Sequence, residues 1–445
     1  MNYSSNINNM SKFFLTISLL VVGWASCSSG SQSRKDEPTQ AYEKTDSCTS
    51  NAQNSYEVYV PARTSRAEKL PLLIILDSHG GGKFALQKFK QAADKYGVAL
   101  AASNLVKNGY PNYEQAIQSL LEDVRTKYPV NETIYLTGFS GGARMALGYA
   151  SNHAANGLLL CGALGSPQQI GALSCPVVSV SGTDDFNFVE TAQYLFQAAA
   201  MPQNLKIELT EQSHSWPSNE MLTNAFAYIV LAGKPIDDTQ VADFQKTQQI
   251  RIDSLLQQRN WIKAELVSQN MTESATFDPN KHFSATCDSL KSSEGFTSQM
   301  QLLGQSLNTE MNLRQTYLNA FSTQDEAWWK KEIASVDEKT KNASDNFTKD
   351  MYLRIKGFWG IVCYSYCKQA AAQRNEALLS KILLVYKAVE PQNPDMFYFS
   401  AFIPMWKGNE ASAVDLLKKA LSLGFSDLGE MKKNFPETIV SQIHS

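Results

Sequence analysis

The sequence predicts a mostly parallel α/β sheet with helices on both faces, followed by an all-α region. Short apolar runs of strand length recur between about residues 71 and 210. Stretches of helical periodicity separate most of them, and strands that alternate with helices form a parallel sheet covered on both sides. Beyond about Lys234 the strand signal ends, and Gln-, Lys-, Glu- and Ala-rich segments with apolar residues at helical spacing take over.

The bulk properties agree with this. A chain of 445 residues, 43% hydrophobic and 19% charged, holds enough apolar surface for two or three cores. Its net charge of −3, with no basic block, excludes a nucleic-acid partner on electrostatic grounds. At the N-terminus, Lys12 precedes an apolar run at 13–22, too short to span a bilayer but of the length of a signal-peptide core. Gly23, Ala25, Ser26 and Cys27 follow, and the stretch resembles a bacterial lipobox, with Trp24 where that family usually has Leu. By that resemblance residues 1–27 are a signal peptide with a lipobox-like end, Cys27 becomes the lipidated first residue after cleavage, and Ser28 allows outer-membrane sorting in a Gram-negative source. The alternative is an ordinary secretory leader. Either way the chain is exported, held at the cell envelope by a lipid or secreted. Residues 28–54, rich in Ser, Gln, Thr and charge, read as a flexible tether. The remaining cysteines, 48, 161, 175, 287, 363 and 367, are even in number, so disulfides are permitted but their pairing is open. Positions 363 and 367 lie one helical turn apart and read as buried thiols. No zinc spacing is present.

Taken in order, the expected strands are 71–77 (PLLIILD), 98–103, 133–137, 158–163, 176–181 and 205–210, with helices at 84–96, 113–128 and 143–154. They define a domain over 55–236. Residues 237–445 form the helical domain. Near its end, over 394–424, Ala401, Ala413, Leu417 and Ala420 follow Pro394, with Gly408 in the turn. These small residues let antiparallel helices approach closely and resemble a tetratricopeptide repeat. A single hairpin cannot bury its own face, so neighbouring helices must complete the stack. A protein partner for this region is the corresponding expectation.

The chemistry concentrates where a strand, Gly138-Phe139-Ser140-Gly141-Gly142 and a helix follow one another. A sharp turn between those elements lifts the Ser140 hydroxyl above the sheet, at the positive end of the helix. A serine needs a base that titrates near neutrality. Of the five histidines, His282 and His444 lie in the helical half, His153 at the far end of the helix beginning beside Ser140, and His79 in another element. His214, after the last strand and before the last helix of the domain, can swing over Ser140. The orienting acid belongs in a loop beside it, and Gly182-Thr183-Asp184-Asp185 offers two. The amide of Gly141, the residue after the nucleophile, is the first oxyanion donor.

The order Ser140, acid, His214, with a glycine-rich loop upstream, resembles the α/β-hydrolase superfamily. Gly-Phe-Ser-Gly-Gly with His-Ser-Trp-Pro at 214–217 is similar to secreted esterases related to polyhydroxybutyrate depolymerases and feruloyl esterases. The resemblance implies that Asp185 is the acid. It implies that Gly80 or Gly81, in a loop similar to the His-Gly-Gly-Gly loop of lipases, supplies the second oxyanion amide. It further implies cofactor-free hydrolysis of an ester-bearing small molecule or polymer through an acyl-serine. Only about a dozen residues separate the strands at 158–163 and 176–181, too few for a lid at that point, so an open site suited to exposed acyl groups of polymers or glycans rather than buried lipid chains is expected. Exported peptidases are the nearest alternative activity. From a different class, a helical-repeat binding scaffold with an accessory hydrolase domain is the other.

Overall fold

The computed structural model describes residues 37–197, 201–233, 238–272, 274–425 and 427–443. The expected leader, Cys27, the start of the tether and His444 lie outside the described residues.

The centre is an eight-stranded sheet in the order β1-β2-β4-β3-β5-β6-β7-β8. The strands are β1 (Tyr42–Cys48), β2 (Asn51–Val60), β3 (Leu70–Leu76), β4 (Ala99–Ser103), β5 (Val130–Phe139), β6 (Gly157–Cys161), β7 (Val177–Gly182) and β8 (Leu205–Thr210). β1 and β2 pair antiparallel, as do β2 and β4, and every pair from β4 through β3 to β8 is parallel. A strand buried on both faces needs apolar residues at every position. β3 has them: Leu72 and Ile74 enter one core, Leu73 and Ile75 the other. The first core is closed by α2 (Tyr113–Lys127), α3 (Gly141–Asn152) and α5 (Phe188–Phe196), which follows the short α4 (Pro167–Gly171). The second is closed by α1 (Gly82–Tyr96) and α6 (Asn219–Gly233).

Two boundaries differ from expectation. The stretch taken as a tether to residue 54 contains β1 and the start of β2, anchored where Thr49 N–H and hydroxyl both donate to Asp123, at 2.9 and 2.7 Å. β1 is an edge strand exposed along most of its length, so its sequence lacks the apolar alternation that reveals a strand. The helical half is also not one separate unit. α7 (Asp238–Gln257) and α8 (Trp261–Thr272) pack on the sheet, and Val241, Phe244 and Val267 join the second core while Ile262 and Leu266 join the first. The Asn270 amide donates to Ile207 carbonyl at 2.9 Å and accepts from its N–H at 3.1 Å, satisfying edge strand β8 as another strand would.

The remaining helices are α9 (His282–Lys291), α10 (Glu294–Thr323), α11 (Glu326–Lys341), α12 (Asn346–Ala372), α13 (Glu376–Val389), α14 (Pro394–Ser400), α15 (Phe402–Trp406), α16 (Glu410–Ser422), α17 (Leu428–Asn434) and α18 (Glu437–Val440). A third core, centred on Tyr317, Trp329, Trp359 and Tyr386, begins midway along α10. In the 394–424 stretch the first helix is interrupted at Ala401. Pro404, which has no N–H to continue the α14 ladder, lies in the first turn of α15. Ala401, Ala413, Leu417 and Ala420 are fully buried. Among the described residues every cysteine is a buried free thiol.

Candidate active site

The loops at the carboxyl ends of β3, β5, β7 and β8 meet above the sheet, the usual place for chemistry in such a topology. Ser140 sits between β5 and α3 at φ 54° and ψ −117°, a strained conformation for a residue with a Cβ. The strain persists because the neighbours leave no alternative. A Cβ on Gly138 would strike the Gly142 backbone, and one on Gly142 would strike the Leu76 carbonyl of β3.

His214 brings the loops together. Its Nε2 lies 2.8 Å from Ser140 Oγ and its Nδ1 lies 2.9 Å from each Asp185 carboxylate oxygen. A carboxylate only accepts, so Nδ1 carries the proton and Nε2 is left to accept from the serine hydroxyl. Phe139 and Phe186 flank the imidazole, at centroid separations of 4.7 and 4.3 Å. Asp185 is 1% exposed and also accepts from Asn187 N–H at 2.8 Å, whereas 22% of the His214 side chain remains open. Adjacent Asp184 makes no such bond. Its Oδ1 is buried without a partner, and desolvation raises its pKa. His153 stacks on Tyr149 at 4.2 Å and lies 3.6 Å from Glu114, away from Ser140.

The glycine loop behaves differently from expectation. Gly80 N–H donates to the Asp77 carbonyl at 3.1 Å, and Gly81 N–H to the Asp77 carboxylate at 3.1 Å. Both amides proposed as second oxyanion donors are therefore committed within the loop. The cause is Asp77, whose carboxylate also takes His79 N–H at 2.8 Å and Trp216 Nε1–H at 2.8 Å. Asp77 thus ties the glycine loop to the loop that carries His214, a role its position at a strand end did not reveal. Gly141 N–H is the first amide of α3 and has no acceptor within the helix. Asn108 was likewise missed: its side chain fills the place a Cβ on Gly141 would take, and its N–H donates to Ser78 carbonyl at 2.9 Å.

Nor is the site open on all sides. Although no lid interrupts β6 to β7, the later helices reach it. Arg354 of α12 donates to Thr183 carbonyl at 2.5 Å, and Arg314 of α10 to Phe186 carbonyl at 2.7 Å. Lys107, beyond β4, pairs with Asp427 at 2.7 Å.

No protein-family model matches this sequence, and no curated protein sequence does. Among solved structures the chain is similar to an esterase B from Lactobacillus rhamnosis, at 15% identity over 45% of this chain and 89% of that one, with a TM-score of 0.34. It is similar to a highly thermostable carboxyl esterase from Bacillus coagulans, at 12% identity over 43% and 99% respectively, with a TM-score of 0.34. A puromycin-hydrolyzing peptidase from Mycobacterium tuberculosis matches at 11% identity over 43% of this chain and 39% of that one, with a TM-score of 0.36. Eight strands in this order, with a strained serine after β5, make the fold an α/β hydrolase.

Proposed function

We propose that the chain is an exported serine hydrolase that cleaves carboxylic esters, on exposed acyl groups of glycans or polymers or on small esters, through an acyl-serine intermediate, anchored at the cell envelope through Cys27. The observation that carries the reading is the unbroken hydrogen-bond chain Ser140, His214, Asp185 at a strained strand-to-helix turn. Ser140 Oγ attacks the acyl carbon as its proton passes to His214 Nε2. Asp185 holds the ring in the required tautomer and balances the imidazolium that forms. Gly141 N–H faces the developing oxyanion, and one such donor contributes about 2.7–4 kcal/mol to the transition state. Collapse expels the alcohol, which takes the proton from His214. Water then repeats the sequence, with His214 as base, and releases the carboxylic acid and free Ser140.

The test is turnover of nitrophenyl acetate and butyrate beside the matching nitroanilides. Ser140→Ala is expected to lose about 10⁴-fold or more in kcat, and with it covalent labelling by a fluorophosphonate. Unchanged ester hydrolysis in that variant would overturn the proposal, and preference for the anilides would make the enzyme a peptidase. Anchoring predicts incorporation of a fatty-acid analogue that Cys27→Ser abolishes; label surviving in the variant would reject it.

A further inference from the structure

Glu310, fully buried at the point where α10 passes from the first core to the third, holds two guanidinium groups. Its Oε1 accepts from Arg314 Nε at 3.0 Å and Nη2 at 2.6 Å, and its Oε2 from Arg354 Nε at 2.7 Å. Arg354 is 1% exposed and Arg314 17%. Arg354 also donates through Nη1 to Thr183 carbonyl and Arg314 through Nη2 to Phe186 carbonyl, the residues on either side of Asp184 and Asp185. Between them these bonds fix both ends of the turn that presents Asp185 to His214. Gly357 of α12 completes the clamp, because its missing side chain lets the Phe186 ring lie against the helix, 3.3 Å from where its Cβ would be. A buried ion triad is an expensive way to join two helices, since apolar residues of the same volume do so as well or better. Directed at backbone carbonyls, however, charge-assisted donors give a fixed geometry that apolar packing does not.

We propose that Arg354 and Arg314, ordered by Glu310, are positioning residues for Asp185, so that the helical region completes the triad from behind. The inference rests on the serine-hydrolase reading above. Neither arginine touches the reacting atoms; each acts through the 183–187 turn.

The experiment compares nitrophenyl butyrate hydrolysis by Arg354→Met and Arg314→Met in the wild-type chain and in a chain already carrying Asp185→Ala. In the wild-type chain kcat is expected to fall about 10–100-fold while KM changes less than about threefold, the pattern of a lost transition-state geometry. In the Asp185→Ala chain the same substitutions are expected to cost less than about twofold, because residues acting as a unit are not additive. Equal losses in both backgrounds, or a loss confined to KM, would overturn the positioning role. Arg314 is the less buried of the two, so Arg314→Met keeps the test if Arg354→Met, which leaves Glu310 Oε2 buried without its partner, does not fold. An inactive Ser140→Ala beside wild-type rates in both arginine variants removes this inference alone. An active Ser140→Ala removes the reading beneath it.

Discussion

The sheet-bearing part of the molecule and the helical part after residue 317 bury comparable sets of side chains in different ways. In the first, alternate residues of the parallel strands feed two cores on opposite faces, and the reactive groups ride on loops at the strand ends. In the second, aromatic rings pack edge to face, with Trp359 4.8 Å from Tyr317 and 5.6 Å from Trp329, and no candidate reactive residue lies among them. The border between the two falls inside α10: Leu303 and Leu307 belong to the first core, Tyr317 and Phe321 to the third, and Glu310 with Arg314 sits between. A linker would let the two parts move independently. A continuous helix carrying a charged triad at the crossing makes the second part a support for the first.

The largest effect is expected within the supported turn itself. Asp185→Asn is expected to lower kcat about 10⁴-fold, because an amide can stabilise the wrong tautomer of His214. Asp184→Asn, one residue away, is expected to leave kcat within about threefold, since the desolvated Asp184 carboxyl makes no bond to the histidine. Equal losses would mean the turn is not oriented as described.

Trp359→Ala tests whether the two parts unfold together. Removing a fully buried indole is expected to cost about 3–5 kcal/mol in urea denaturation. Because α10 runs through both cores, activity and far-ultraviolet dichroism should be lost in one transition at lower urea. A helical transition that precedes loss of activity would show two separable units.

The smallest effect concerns the other end of the sheet. Burial works against ionisation of Asp123, but hydrogen bonds from Lys127, Tyr56 and Thr49 outweigh it and hold the carboxyl down at about 2. Asp46 is lowered too, first by the Tyr128 hydroxyl. A depressed carboxyl stabilises the fold above its unfolded value, near 3.9, and that contribution fades as pH falls through the folded value. Stability should therefore drop between about pH 4 and 2, and Asp123→Asn should flatten that drop. An unchanged acid slope in the variant would assign the sensitivity elsewhere.

The six parallel strands were legible because two-sided burial demands continuous apolar runs such as LPLLIIL in β3. β1 was not, because an exposed edge strand imposes no pattern on YEKTDSC. The choice of Asp185 over Asp184 needed a resemblance, since both stand in the same turn. The use of the Gly80 and Gly81 amides was misjudged because a loop sequence does not state which acceptor its own Asp77 will offer. Arg354 and Arg314 carried no local signal, lying 171 and 128 positions from the carbonyls they hold.

By itself, then, the sequence determined the strand, sharp turn and helix around Ser140, because the glycines at 138 and 142 act on immediate neighbours and hydrophobic periodicity is a local property. Tertiary structure alone decided which carboxylate faces His214, which amides remain free and what lies behind the acid turn. Those outcomes depend on where side chains point once distant segments are packed, and no local spacing encodes that direction.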